Sequence, residues 1–197
     1  MSVSHCLELL TRWADENICQ KVKLKRPGNI NDQGYDYELV HPAALTMFVP
    51  PEDKLPRGVQ TSIPSLCVQL LEGRDLHEKG RAKIRFGLSA WSPGLHGQDV
   101  FNPVEGQPGT YKQSTERAFA HDGEGWRDVW NFADVALRAL ESTSSVGEIR
   151  ITLEDGIEYG PPTEQGDVLN FYPMWYAWVS FHIEYPIIRN HNYQDLL

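Results

Sequence analysis

Residues 175–185 read Trp-Tyr-Ala-Trp-Val-Ser-Phe-His-Ile-Glu-Tyr, and the fold is decided here. Trp175, Ala177, Val179, Phe181, Ile183 and Tyr185 form one file; Tyr176, Trp178, Ser180, His182 and Glu184 form the other. A period of two held over this length is the signature of a strand whose side chains alternate between two faces, and no helix produces it. The first file is wholly apolar or aromatic, so that face is buried. The second turns polar toward its C-terminal end and is wet along part of its length. A strand of this kind needs a cover on its apolar side and protection for its edges.

Working back from it, Glu124 to Glu141 is the clearest helix. Trp126, Val129, Trp130, Ala133, Leu137 and Leu140 recur at helical spacing, with Phe132, Val135 and Ala136 widening the stripe. So broad an apolar face is expected to lie across the sheet, with Asp122 or Gly123 as its cap. Between helix and last strand, residues 148–153 alternate with Ile149, Ile151 and Leu153 on one side. Asp155-Gly156 marks a turn, residues 157–159 are expected to continue the pairing, and 161–173 read as an irregular loop.

Upstream, residues 65–71 are a nearly continuous apolar strand opened by Pro64. Residues 73–80 are a charged turn. From Arg81 to Trp91 the alternation returns, with Ala82, Ile84, Phe86, Leu88 and Ala90 opposite Arg81, Lys83 and Arg85, as in an antiparallel hairpin with one core face. Residues 4–19 form a first helix on the stripe Cys6, Leu9, Leu10, Trp13, Ala14 and Ile18. Residues 35–40 and 45–49 are short strands, and the prolines at 50, 51 and 56 enforce an irregular connector. Residues 93–123 are an irregular insertion in which Phe101, Tyr111 and Phe119 suggest packing, and 189–197 are a C-terminal tail. Strands cluster rather than alternate with helices. The expected fold is therefore α+β: one domain, an antiparallel or mixed sheet with helices on one face, interrupted by long irregular insertions.

Composition narrows the function. With 41% hydrophobic and 23% charged residues the chain reads as an ordinary globular protein, without a run long enough to span a membrane and without a leader pattern at its start. A net charge of −9 argues against gripping nucleic acid, which needs clustered Lys and Arg; the one basic run is residues 21–26. Cys6, Cys19 and Cys67 show no metal spacing and read as buried thiols. The sequence lacks phosphate-loop, dinucleotide, nucleophile-elbow and zinc-protease motifs. His121-Asp122-Gly123-Glu124 reads as an acidic helix start, and Glu154, Asp155 and Glu158 as a solvated turn. No catalytic, cofactor or metal residue is assigned, and the chain is not expected to be an enzyme. Trp91 and Trp178 are the tryptophans expected to have room for a partner. With Phe101, Tyr111, Tyr176 and His182 they make up the candidate oligomer or partner interface.

The ordered pattern resembles a known family, the tail terminator (tail completion) proteins of tailed bacteriophages and phage-like particles. The residues that carry the likeness are Pro64-Ser65-Leu66-Cys67-Val68, Leu88-Ser89-Ala90-Trp91-Ser92, the helix stretch Ala133 to Leu140, and the aromatic strand Trp175 to Tyr185. The insertion after Trp91 and the proline-rich 20–62 stretch depart from the usual pattern. The resemblance implies a ring, hexameric in the family, that caps the tail tube, stops polymerisation and docks to the neck. It implies contacts with the tube protein and with sheath or neck proteins, and assembly in the host bacterial cytoplasm followed by incorporation into a virion or tailocin-like particle. DNA would cross the lumen without specific binding, since an acidic wall repels phosphates. The alternative is a head–tail connector or stopper protein of the neck; a small hydrolase or carbohydrate-binding module is the remaining class.

Overall fold

A computed structural model describes residues 1–31, 34–94, 101–113 and 123–187. The aromatic strand is β15 in chain order, Met174–Pro186, and its apolar file is interior: Val179, Phe181 and Ile183 are each about fully buried, and Tyr185 nearly so. Along its whole length it pairs antiparallel with β7 (Lys79–Trp91), from Met174 opposite Trp91 to Pro186 opposite Lys79. Its other edge pairs with β11 (Ile149–Thr152) and β12 (Glu158–Gly160). The strand that needed protected edges is thus central. β7 pairs in turn with β6 (Ser65–Asp75), and β6 with the short parallel β5 (Ala43–Thr46). With β10 (Ser145–Val146) beyond β11, this is one mixed, seven-stranded sheet; the other strands pair outside it, β1 (Leu24–Arg26) with β4 (Glu38–Val40), β2 (Ile30–Asn31) with β3 (Gly34–Tyr35), β8 (Phe101–Pro103) with β9 (Tyr111–Gln113) and β13 (Thr163–Glu164) with β14 (Asp167–Val168).

Both helices lie on the same face. In α1 (Val3–Asn17), Ser2 caps the N-terminus, its hydroxyl accepting from the His5 amide at 3.2 Å. Cys6, Leu7, Leu10 and Ala14 are buried, against β5, β6 and β10. In α2 (Trp126–Glu141), Asp128 in the first turn and Arg138 in the last suit the helix dipole. Val129, Phe132, Ala133, Ala136 and Leu140 press onto β7 and β15. Phe86 from β7 meets Phe181 from β15 edge-on, centroids 4.9 Å apart. Full burial of each such ring stabilises the fold by about 2–3 kcal/mol. One hydrophobic cluster contains residues from both helices and the central strands, so the α+β reading with helices on one face holds.

Several local expectations are corrected. The buried stripe of α2 is rotated, so Trp126 is 43% exposed and lies beside the Arg127 guanidinium instead of in the core. Its cap is Gly125, which makes no side-chain cap bond; Asp122 lies outside the described residues. The 73–80 turn is shorter than its charges suggested, because Glu72, Gly73, Arg74 and Asp75 pair with β7 past a bulge after Leu70. Leu153 leaves the sheet and is exposed. The 161–173 loop carries a small hairpin, Thr163–Glu164 with Asp167–Val168. Within 93–123, Phe101–Pro103 pairs with Tyr111–Gln113. The tail 189–197 is outside the described residues.

Candidate functional site

The sheet face opposite the helices is built by the even residues of β15 and the odd residues of β7. Register places them in rows. Ser65, Ser89 and Tyr176 form one; Leu45, Cys67, Gly87, Trp178 and Gly160 the next; then Gln69, Arg85, Ser180 and Glu158; then Lys83 and His182. The first two rows are small, aromatic or apolar, and the later ones are charged.

The charged end is a ladder of cross-strand pairs. Lys79 reaches Glu184 at 2.8 Å, Arg81 pairs with Asp155, and Lys83 pairs with Glu158. The buried Ser180 hydroxyl donates to the same Glu158 carboxylate at 3.1 Å. Hydrogen bonds from Lys83 and Ser180 hold Glu158 below the ordinary carboxylate range, and the bond from Lys79 does the same for Glu184. His182 Nδ1 sits 3.5 Å from Asp155. Solvent screens exposed pairs of this kind, so they set the character of the surface more than its stability.

The apolar end is a groove of about 430 Å³ with Cys67, Gly87 and Ser89 on its floor and Tyr176 and Trp178 along one side. Trp178 leans away from the floor. Its Nε1 donates to the Pro161 carbonyl at 2.9 Å, and its ring lies so close over Gly160 that a Cβ there would stand 3.1 Å from Cζ2. Phe171 packs edge-on to Tyr176 at 5.2 Å, and Phe171 and Val49 form an exposed rim. Above the Trp178 ring, at 5.3 Å, lies the Arg85 guanidinium.

Among the described residues that line the groove, none is set up as a nucleophile. Burial pushes the Cys67 thiol up to about 11, which keeps it protonated at neutral pH. The Ser65 and Ser89 hydroxyls bond to each other at 2.9 Å, with no general base among their hydrogen-bond partners. Among the described residues no group of three or more His, Cys, Asp or Glu converges as metal ligands would. A second hollow of about 610 Å³, between α1 and residues 58–61, is lined by charged side chains such as Glu8, Arg12 and Asp15 together with apolar ones such as Val40, Ala44 and Val59. Its His41 Nδ1 is taken up by the carbonyls of Cys19 and Val22.

Three of the six sequence-selected residues come together here: Tyr176, Trp178 and His182 share the open face. Trp91 does not. It is 2% exposed, edge-on to Tyr35 at 5.3 Å, and belongs to the interior, so its reading as a partner contact is corrected. The backbones of Phe101 and Tyr111 fall on the small 101–113 hairpin, remote in sequence from this face; their side chains lie outside the described residues. Sequence reasoning missed Arg85 and Gly87 as parts of the site. Their only signal was the outward file of β7, where a glycine marks a place without a side chain. No family model matches the chain, and neither a curated protein nor a solved structure does.

Proposed function

We propose that this chain is a structural assembly subunit, a tail-terminator-like protein that closes into a ring, hexameric by the resemblance, on the end of a phage or phage-like tail tube. The observation that supports it best is the one-sided sheet. Two helices bury one face, while the other presents an apolar groove with an exposed Phe171–Val49 rim beside a dense charge ladder. An apolar centre with a polar surround is the anatomy of a protein–protein contact. Repeated head-to-tail contacts between unlike surfaces close into a ring when the rotation permits. The edge strands suit side-chain docking better than sheet extension, since β5 has four residues and β10 has two. The net charge of −9 suits a lumen that DNA crosses without adhering.

In this role the subunit ends tube and sheath polymerisation and offers the neck its docking surface. No helix among the described residues is long and apolar enough to cross a membrane. Native mass measurement on the purified chain, together with tail lengths in particles assembled without it, tests the reading. A closed six-membered ring and tails of uncontrolled length are expected. A monomer at every concentration, or normal tail lengths in its absence, overturns it.

A further inference from the structure

We propose that the groove on the open sheet face binds an acidic–apolar segment of another protein, with Arg85 receiving a carboxylate and the floor at Gly87 receiving the adjacent aromatic or aliphatic side chain. β7 presents a row of four cations, Lys79, Arg81, Lys83 and Arg85. The first three each have an acid partner: Glu184, Asp155 and Glu158. Arg85 has none among the described residues. Among the described residues its buried Nε has no hydrogen-bond partner, and its guanidinium lies against the Trp178 ring. A partly buried cation with no ion pair among the described residues is placed to gain from a carboxylate brought to it. Its planar fork is the donor that matches a carboxylate two bonds at a time.

The apolar half of the pocket is equally specific. A Cβ built at Gly87 meets nothing closer than 3.8 Å, to the Cys67 carbonyl and Gln69 Oε1, so the floor beside Arg85 is open. Trp178 is anchored away from it by the Pro161 carbonyl, and Phe171 and Val49 extend the apolar surface outward. Charge and shape together call for a carboxylate next to an apolar side chain, which a neighbouring Asp or Glu and Phe or Leu supply. The inference deepens the assembly reading by giving the chemistry of one partner contact, but it does not depend on ring closure.

A random twelve-residue peptide library displayed on yeast and selected on the full chain tests it. The expected result is enrichment of Asp or Glu beside Phe, Leu, Ile or Trp. Changing the enriched acid to its amide in the peptide, which leaves the protein untouched, is expected to weaken binding about ten- to hundred-fold, the scale of a hydrogen bond to a charged group. Arg85→Gln is expected to abolish the preference for the acid over its amide, and Gly87→Leu to abolish binding by filling the floor. No enrichment, apolar enrichment without acids, an acid preference that survives Arg85→Gln, or binding that survives Gly87→Leu each overturns the proposal. So does self-association of the chain that Gly87→Leu abolishes, which would assign the groove to a second copy. A ring seen by mass without any acidic–apolar selection leaves the assembly reading standing and removes this one; selection without a ring does the reverse.

Discussion

Replacing Gly125 by alanine sets two effects of opposite sign against each other. Its backbone is right-handed helical (φ −59°, ψ −19°), a conformation any residue adopts. On conformational entropy alone the alanine would stabilise the chain by about 0.4–1 kcal/mol. Packing decides otherwise. A Cβ at this position would stand 2.5 Å from the Ser92 carbonyl oxygen and 2.5 Å from Trp175 Nε1. Those two atoms are hydrogen-bonded to each other at 2.8 Å, and Ser92 is buried. Relieving the clash costs about 1–3 kcal/mol of overpacking, and loss of the bond adds about 1 kcal/mol. The expected net loss is about 1–3.5 kcal/mol, or roughly 2–14 °C in melting midpoint for a chain of this size. Gly73→Ala is the matched control: a Cβ there meets nothing within 4 Å, and a change within about 0.5 kcal/mol is expected. Urea unfolding followed by tryptophan emission and far-ultraviolet circular dichroism reads both. A Gly125→Ala protein as stable as the parent refutes the close approach of α2 to the end of β7.

Phe181→Ala, which empties the centre of the core beside Phe86, should lower unfolding free energy by about 3–5 kcal/mol; a loss under 1 kcal/mol in denaturant titration would contradict the placement of β15. Burial pushes the Cys6 and Cys67 thiols up to about 11 and holds Cys19 well above its ordinary value. A thiol whose folded pKa is raised contributes stability that is complete below the unfolded value near 9 and is lost as pH rises toward 11. Melting midpoints should fall across that window, less steeply in Cys67→Ala, and an identical slope in the variant counts against the assignment. Glu158 shows the opposite sign: its depressed pKa contributes stability above the ordinary carboxylate value that is lost as pH falls below it. Lys83→Met should flatten that acid limb, and chemical shifts of the Glu158 carboxyl should move its titration upward; no movement would remove the Lys83 bond as the cause.

What the sequence made legible was whatever a short period encodes. β15, β7 and both helices follow from alternation or helical spacing, because burial of one face leaves its mark on neighbouring residues. The phase of α2 was harder. Trp126 is apolar and within helical spacing of Val129 and Ala133, yet the buried stripe centres on Val129, Phe132, Ala136 and Leu140 and is rotated away from it, so hydrophobicity placed Trp126 in the core where geometry does not. The 73–80 charges looked like a turn because exposed strand residues and turn residues have similar composition; the pairing of Arg74 with Arg81 shows only in the register. The candidate face was half legible. Tyr176, Trp178 and His182 could be read from one strand, whereas the row joining Cys67, Gly87, Trp178 and Gly160 spans four strands. Trp91 sits on the same outward file as Arg85 and Gly87, yet it is buried, with Tyr35, brought from far upstream, packed edge-on against it.

The central position of β15 has a consequence for synthesis. Its partners β7, β11 and β12 all precede it, with contacts such as Phe181 to Ile84 closing loops of nearly half the chain. Until residue 186 has left the ribosome, β7 keeps one edge unpaired and the α2 stripe has only half its floor. Local hairpins and helices can form as they emerge, but the core is sealed last and all at once. Such long-range closure is slow and exposes strand edges while it waits. A nascent chain of this protein therefore exposes apolar surface and an open sheet edge until β15 is made, and termination before β15 is expected to give an aggregation-prone fragment instead of a smaller domain.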